Sequence, residues 1–164
     1  MELSCSKSAG KTNLTQKDPI TMKIKLITPN AIVPTRGTTD SAGLDLYADL
    51  EKPAVIKPGI TQLIPTGIAM AIPSGYAGFI YARSSLATKN GLRPANCVAV
   101  IDADYRGELI VPIHNDSNTD QVIHHTQRFA QLVIAPVSME KLEVVTDLPE
   151  TMRGNGGFGS TGTM

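Results

Sequence analysis

The stretch Thr61-Gln62-Leu63-Ile64-Pro65-Thr66-Gly67-Ile68-Ala69-Met70-Ala71-Ile72-Pro73-Ser74-Gly75-Tyr76-Ala77-Gly78-Phe79-Ile80-Tyr81-Ala82 decides the fold class. It holds three short β-type runs, Thr61 to Ile64, Gly67 to Ile72 and Gly78 to Ala82, cut apart by prolines and glycines that favour turns. The same rhythm continues on both sides. Runs of this kind lie at Met22 to Ile27, Leu44 to Tyr47 and Ala54 to Ile56 before it, and at Cys97 to Ile101, Glu108 to Ile113, Val122 to His124, Phe129 to Ala135 and Leu142 to Val145 after it. Strands at roughly 8 to 12 residue spacing, separated by turn-formers such as Pro58-Gly59, Arg106-Gly107 and Asn115-Asp116-Ser117-Asn118, predict an all-β sandwich or barrel. Helical periodicity is nearly absent. The one candidate is a short turn over Ser84 to Lys89, where a serine can cap the free amides of the first turn.

The 164 residues fit one domain, and a chain near this size buries roughly 70% of its unfolded surface, so a core forms without metal or disulfide help. Fifteen basic and fifteen acidic side chains give zero formal charge, so no whole-molecule field argues for nucleic acid or an anionic membrane. Any anion must be met locally. Cys5 and Cys97 are the only cysteines and have no histidine at ligand spacing, which excludes a zinc ribbon, argues against a disulfide framework and makes a reducing compartment the default. No apolar run approaches the roughly 18 residues of a membrane span, and Met1 to Ile20 lacks the apolar core of a signal peptide. The expectation is a cytoplasmic protein, with a nuclear location also open. Residues 1–21 read as disordered or vector-derived, 22–150 as one β domain and 151–164 as a flexible C-terminal arm.

Four segments carry chemistry. In Ile101-Asp102-Ala103-Asp104-Tyr105-Arg106-Gly107-Glu108 the two aspartates stand at i and i+2, so in an extended strand they share a face and suit a general base or a metal site. A polar strand end running into a turn gives the same pattern, and the spacing does not choose between the two aspartates. Ala82-Arg83-Ser84-Ser85 brings a guanidinium, two hydroxyls and free amides to one place, which suits an anion. Arg128-Phe129-Ala130-Gln131-Leu132 reads as a strand with alternating faces, in which Gln131 is polar where either face is admitted. Arg153 to Gly162 has five glycines in ten residues, and such a segment loses much entropy when it orders, so a free tail is the plain expectation. Its arginine, Phe158 and the Ser160-Thr161 pair could nonetheless bind a phosphorylated, flat-ringed molecule. His124 and His125 point to opposite faces of a strand and His114 stands beside a loop, so none of the three reads as a metal ligand. There is no P-loop lysine, nucleophile elbow or cysteine paired with histidine, so covalent catalysis is unsupported.

Taken together, these segments resemble the trimeric dUTP diphosphatase (dUTPase) family, whose five motifs occur here in order. They are Asp40 to Tyr47, Ala82 to Ala87, Asn96 to Glu108, Arg128 to Leu132 and Arg153 to Gly162. The resemblance implies a jelly-roll-like β-barrel with one short helix, assembled as a homotrimer whose active sites lie between subunits and are closed by a C-terminal arm. It implies hydrolysis of dUTP to dUMP and pyrophosphate with Mg²⁺, which keeps uracil out of DNA and supplies the thymidylate precursor. By position, Asp102 would be the general base for the water that attacks the α-phosphorus, and Tyr105 would stack under the deoxyribose and exclude a 2′-hydroxyl. Asn96 and the backbone of Cys97, Val98 and Ala99 would read the uracil edge. Arg83, Ser84, Ser85 and Gln131 would hold the phosphates, and Asp45 would touch the magnesium through water or brace the site. In the arm, Arg153 would clamp the γ-phosphate, Phe158 would stack on uracil, and Gly159, Ser160 and Thr161 would wrap the phosphate tail.

The chain departs from the family's usual pattern at four positions. Ala82 replaces a proline, Ser85 a glycine, Ala99 a glycine and Gln127 an acidic residue. These put pocket geometry in question more than chemistry. A dCTP deaminase, which shares the fold and an Arg-Ser-Ser segment, is the alternative enzyme; the Asp104-Tyr105-Arg106-Gly107 run and the arm favour the diphosphatase. A nucleotide-sensing or partner-binding protein without turnover is the alternative outside catalysis.

Overall fold

The computed structural model describes residues 21–157. The N-terminal segment up to Ile20, and the expected contacts of Phe158, Gly159, Ser160 and Thr161, lie outside the described residues. Among the described residues there are twelve strands and one helix, so the chain is all-β as expected. The strands are β1 (Lys23–Leu26), β2 (Thr35–Arg36), β3 (Leu44–Tyr47), β4 (Ala54–Ile56), β5 (Thr61–Pro65), β6 (Ile68–Ala71) and β7 (Tyr76–Ala82). Helix α1 (Ser84–Asn90) follows, then β8 (Leu92–Pro94), β9 (Ala99–Ile101), β10 (Ile110–Asn115), β11 (Gln121–Ile123) and β12 (Arg128–Pro136).

Every pairing is antiparallel. The largest sheet has the order β2-β3-β12-β7-β9, a second has β5-β10-β8, and β1-β6 and β4-β11 form two-stranded ribbons. The arrangement is jelly-roll-like, with the sheets facing a common core and not joined into one closed barrel. That core draws Leu46, Ile56, Ile64, Ile68, Ile80, Val111, Ile123 and Leu132 from all four sheets, each at most 1% exposed. The short apolar runs of the sequence are therefore the inward faces of strands too short to bury anything alone.

The differences from the sequence reading are local. Strands β2 and β8 are not among the runs read from the sequence: β2 has only two residues, both polar, and β8 is Leu92-Arg93-Pro94, whose arginine and proline hide the strand. The expected strand at Cys97 to Ile101 begins only at Ala99, because Cys97 adopts φ 63° and belongs to a turn. Asp102 to Tyr105 also forms a turn, closed by the Tyr105 amide donating to the Asp102 carbonyl at 3.2 Å, so the two aspartates are not on one strand face. Leu142 to Val145 forms no strand; Leu142 is 97% and Val144 100% exposed, with no strand beside them in this chain. Helix α1 is capped differently from expectation: the cap position is Arg83, without a side-chain cap bond, and Ser84 is already helical. Its other end closes on Gly91 at φ 63°, whose amide reaches the Ala87 carbonyl.

One buried polar side chain ties two sheets together. Asn115 is fully buried, donates to the carbonyls of Ile56 and Thr119, both at 2.8 Å, and accepts from the Ser117 amide at 2.9 Å and hydroxyl at 2.7 Å. Asn115→Ala would leave the Ile56 carbonyl buried without this donor. The expected loss is about 2–3 kcal/mol of stability, read as a lower urea midpoint at unchanged slope.

Candidate active site

Strand β12 lies between β3 and β7, and its register brings three of the singled-out segments together. Gln131 stands opposite Asp45 on one side and Tyr81 on the other, two residues before Arg83. The register slips by one residue between Arg128 and Ala130, so Phe129 and Ala130 are both buried. Strict alternation would put Arg128 and Gln131 on opposite faces; the bulge returns Arg128 to the face of Gln131 and Asp45.

The result is a fixed ionic cluster. Asp45 Oδ1 receives Arg83 Nε at 2.9 Å and its Oδ2 receives Arg128 Nη1 at 3.1 Å. Arg83 Nη1 also donates to the Arg128 carbonyl at 3.3 Å, and Gln131 Nε2 donates to the Ala82 carbonyl at 3.1 Å. A side chain on Gly43 would put its Cβ 2.9 Å from Gln131 Oε1, which is why the backbone of the first motif can pass so close to the fourth. These residues, with Ser41, Ser84 and Ser85, line a cleft of about 530 Å³. Two guanidiniums, exposed hydroxyls and a carboxamide facing one cleft form a receptor for an anionic group.

The other expected residues lie along β9 and its flanking turns. Asn96 and Cys97 are exposed on a tight turn in which the Cys97 amide donates to the Pro94 carbonyl at 2.9 Å and the Val98 amide to the Asn96 carbonyl at 2.7 Å. Val98 and Ala99 lead from it into β9, and Asp102 stands exposed just past the strand. Tyr105 is 44% exposed, donates its hydroxyl to the Glu108 carbonyl at 2.9 Å and covers Gly107, where a Cβ would meet the ring. Asp102, Asp104 and Arg106 line a second cleft of about 590 Å³ with Tyr76, Val137 and Met139. Arg153 is exposed in a turn, its Nε donating to the Gly156 carbonyl at 2.9 Å.

These two groups do not meet within one chain. Ile101 pairs with Gly78 near the start of β7, whereas Arg83 follows its end. At the rise of an extended strand the two ends are roughly 20 Å apart, so Asp102 and Arg83 of one chain face different places.

The sequence profile of the dUTPase family matches residues 29–162. The chain belongs to the dUTPase family. Among its relatives, the deoxyuridine 5′-triphosphate nucleotidohydrolase of Syntrophotalea carbinolica is 48% identical over 143 residues, covering 87% of this chain and 97% of that protein. Among solved structures, the Staphylococcus bacteriophage 80alpha dUTPase with dUPNHPP superposes with a TM-score of 0.80 at 29% identity, covering 87% of this chain and 99% of that one. A point mutant of the dUTPase from phage phi11 of S. aureus, described for its coordination of a structural Mg(II) ion, matches at a TM-score of 0.73 and 25% identity over 80% of this chain and all of that one.

Two features of this dUTPase were not legible in its sequence. Arg128 sits within a motif, yet only the bulge reveals that it shares Asp45 with Arg83. Gln127, at the position where the family is usually acidic, accepts from the His124 amide through Oε1 at 2.9 Å, so the neutral amide still closes the turn before β12. Among the described residues no group of three or more His, Cys, Asp or Glu could hold a metal ion, and no helix is long and apolar enough to cross a membrane. Asp45→Asn would leave two adjacent guanidiniums without their shared carboxylate. The expected cost is about 1–3 kcal/mol of stability, and thermal melts at rising salt should recover part of it as Arg83 and Arg128 are screened from each other.

Proposed function

We propose that this chain is a dUTP diphosphatase that hydrolyses dUTP to dUMP and pyrophosphate, with residues 22–150 as the catalytic domain and 151–164 as a closing arm. The observation that carries this reading is the convergence of Asp45, Arg83, Arg128 and Gln131, from three separate motifs, on one cleft suited to phosphates. Asp102 is the general base: its exposed carboxylate takes a proton from the water that attacks the α-phosphorus in line, and pyrophosphate leaves. Arg83, Ser84, Ser85 and Gln131 hold the leaving phosphates, and Tyr105 packs under the deoxyribose where a 2′-hydroxyl would collide. Asn96 and the backbone of Cys97, Val98 and Ala99 pair with the uracil edge, and a site built for one edge rejects the other bases by leaving its own polar groups unpaired.

Asp102 and Arg83 lie at opposite ends of β7, which supports a site assembled from different copies of a homotrimer. The exposed Leu142 and Val144 support the same reading, as apolar side chains that a neighbouring copy would cover. Magnesium fits as a partner of the nucleotide: both Asp45 oxygens are taken by guanidiniums, so the ion would be held by phosphate oxygens, with Asp45 reaching it only through water. When bound, it neutralises charge on the triphosphate. Arg153 would meet the γ-phosphate and Phe158 the uracil, with Gly159, Ser160 and Thr161 along the phosphates.

Purified protein with Mg²⁺ is expected to release pyrophosphate from dUTP but not from UTP or dCTP. Ammonia from dCTP would mean a deaminase, and tight binding without product a sensor. Asp102→Asn should retain dUTP binding and lose roughly 10²–10⁴-fold in turnover; full activity would remove Asp102 as the base. Deletion from Arg153 onward should slow single-turnover hydrolysis strongly while sedimentation still finds the trimer, and unchanged kinetics would remove the arm from the mechanism.

A further inference from the structure

The turn from Ala95 to Val98 has little of its own with which to read a base edge accurately. It holds a non-glycine residue at positive φ, its internal hydrogen bonds are two short-range contacts, the Ala95 amide donates to the Pro112 carbonyl of β10 at 2.9 Å, and Asn96 and Cys97 are exposed. A turn of this kind keeps its shape only if something outside it holds its carbonyls. That something is Arg93. Its Nη1 donates to the Ala95 carbonyl at 2.9 Å and the Pro94 carbonyl at 3.2 Å, and lies 3.8 Å from Cys97 Sγ.

The guanidinium is itself held from the opposite side. Arg93 Nε and Nη2 meet the two oxygens of Asp116 at 2.6 and 3.1 Å, a fork that fixes the guanidinium plane and so aims Nη1 at the turn. The hydrogen bond to Asp116 raises the Arg93 pKa above its ordinary value, with burial pulling the other way. Asp116 is anchored by its amide on the Gly91 carbonyl at 2.9 Å and approached by His114 Nε2 at 3.4 Å. His114 stands opposite Arg93 on β10 and shares a 2.9 Å hydrogen bond with the Thr61 hydroxyl through Nδ1. A continuous polar chain thus runs from β5 through β10 to the base-reading turn.

We infer that Arg93, oriented by Asp116, is a positioning residue for base specificity: it touches no nucleotide, and holds the Ala95–Val98 turn in the shape that distinguishes a uracil edge from a cytosine edge. This rests on the assignment of that turn to the uracil in the proposed function. The effect belongs in base recognition and not in the chemical step, because Arg93 holds the turn and not Asp102. Lysine cannot replace it, since one ammonium cannot form the fork to Asp116 and reach two carbonyls together.

The test compares the intact protein with Arg93→Met, Arg93→Lys and Asp116→Asn, using calorimetric binding of dUMP and dCMP alongside dUTP hydrolysis. Arg93→Met should raise KM for dUTP about tenfold with kcat changed less than about threefold, and lower the dUMP-over-dCMP affinity ratio about tenfold. Arg93→Lys and Asp116→Asn should fall between this variant and the original protein. Unchanged affinity ratios in all three variants, or dUMP and dCMP weakened equally, would overturn the inference. Absence of hydrolysis in the unsubstituted protein would instead overturn the diphosphatase reading, and the binding ratios would still decide the role of Arg93.

Discussion

The cationic lining of the cleft depends on one carboxylate. Asp45 sits between Arg83 and Arg128 with one oxygen for each, and its side chain is only 13% exposed. Two guanidiniums this close would repel one another across a partly dehydrated cleft, and each would otherwise sample many rotamers. The shared carboxylate removes both problems. It fixes the position of two cations, one at the cap of α1 just past β7 and one on β12, and the β3-β12-β7 register fixes the carboxylate. The fold thereby supplies a pre-ordered anion receptor in a chain with no net charge.

Strand β7 determines how that receptor relates to the rest of the machinery. Seven residues long, it leads into the ionic cluster at its end and pairs with β9 so that Asp102 emerges beyond its start. An extended strand cannot fold back on itself, so no side-chain rotation closes this distance. Two clefts toward opposite ends of one rigid strand, one lined by Arg83 and Arg128 and the other by Asp102, would under the proposed function be counterparts for neighbouring copies of the same chain. The exposed Leu142 and Val144 fit that arrangement, as almost fully uncovered apolar side chains in a run with no strand beside it among the described residues.

Much of the fold was legible because the runs around Thr61 to Ala82 combine turn-formers with apolar residues, and that information is local. The all-β class and the place of the one helix among the described residues followed from it. What escaped was set by pairing. Cys97 to Val98 looks like the start of a strand until the turn from Pro94 is seen, and Asp102 and Asp104 look like neighbours on one face until the chain turns at Asp102. Leu142 to Val145 has strand composition, yet composition does not provide a partner strand. At the site, the motif residues were legible individually, whereas the link between Asp45 and Arg128 depends on a bulge that shifts one residue and has no signature in Arg128 to Leu132. The role of Arg93 was hidden for a related reason: its partner Asp116 is distant in sequence, and only the β8-β10 pairing brings them together.

Local charge also explains why this cleft would not suffice alone. Two guanidiniums less one carboxylate leave an effective single positive charge facing the opening, whereas a triphosphate carries several negative charges that rise in importance as the α-phosphorus is attacked. A cleft with enough fixed cations to neutralise the whole chain of phosphates would be strained when empty, because those cations would face each other without a counter-charge. Under the proposed function, an ion arriving with the nucleotide and the arginine of the glycine-rich C-terminal segment would supply the remaining charge without that strain. The Asp45 clamp thus keeps a minimal set of cations in place, and under the proposed function the rest of the charge compensation would come with the nucleotide and from Arg153.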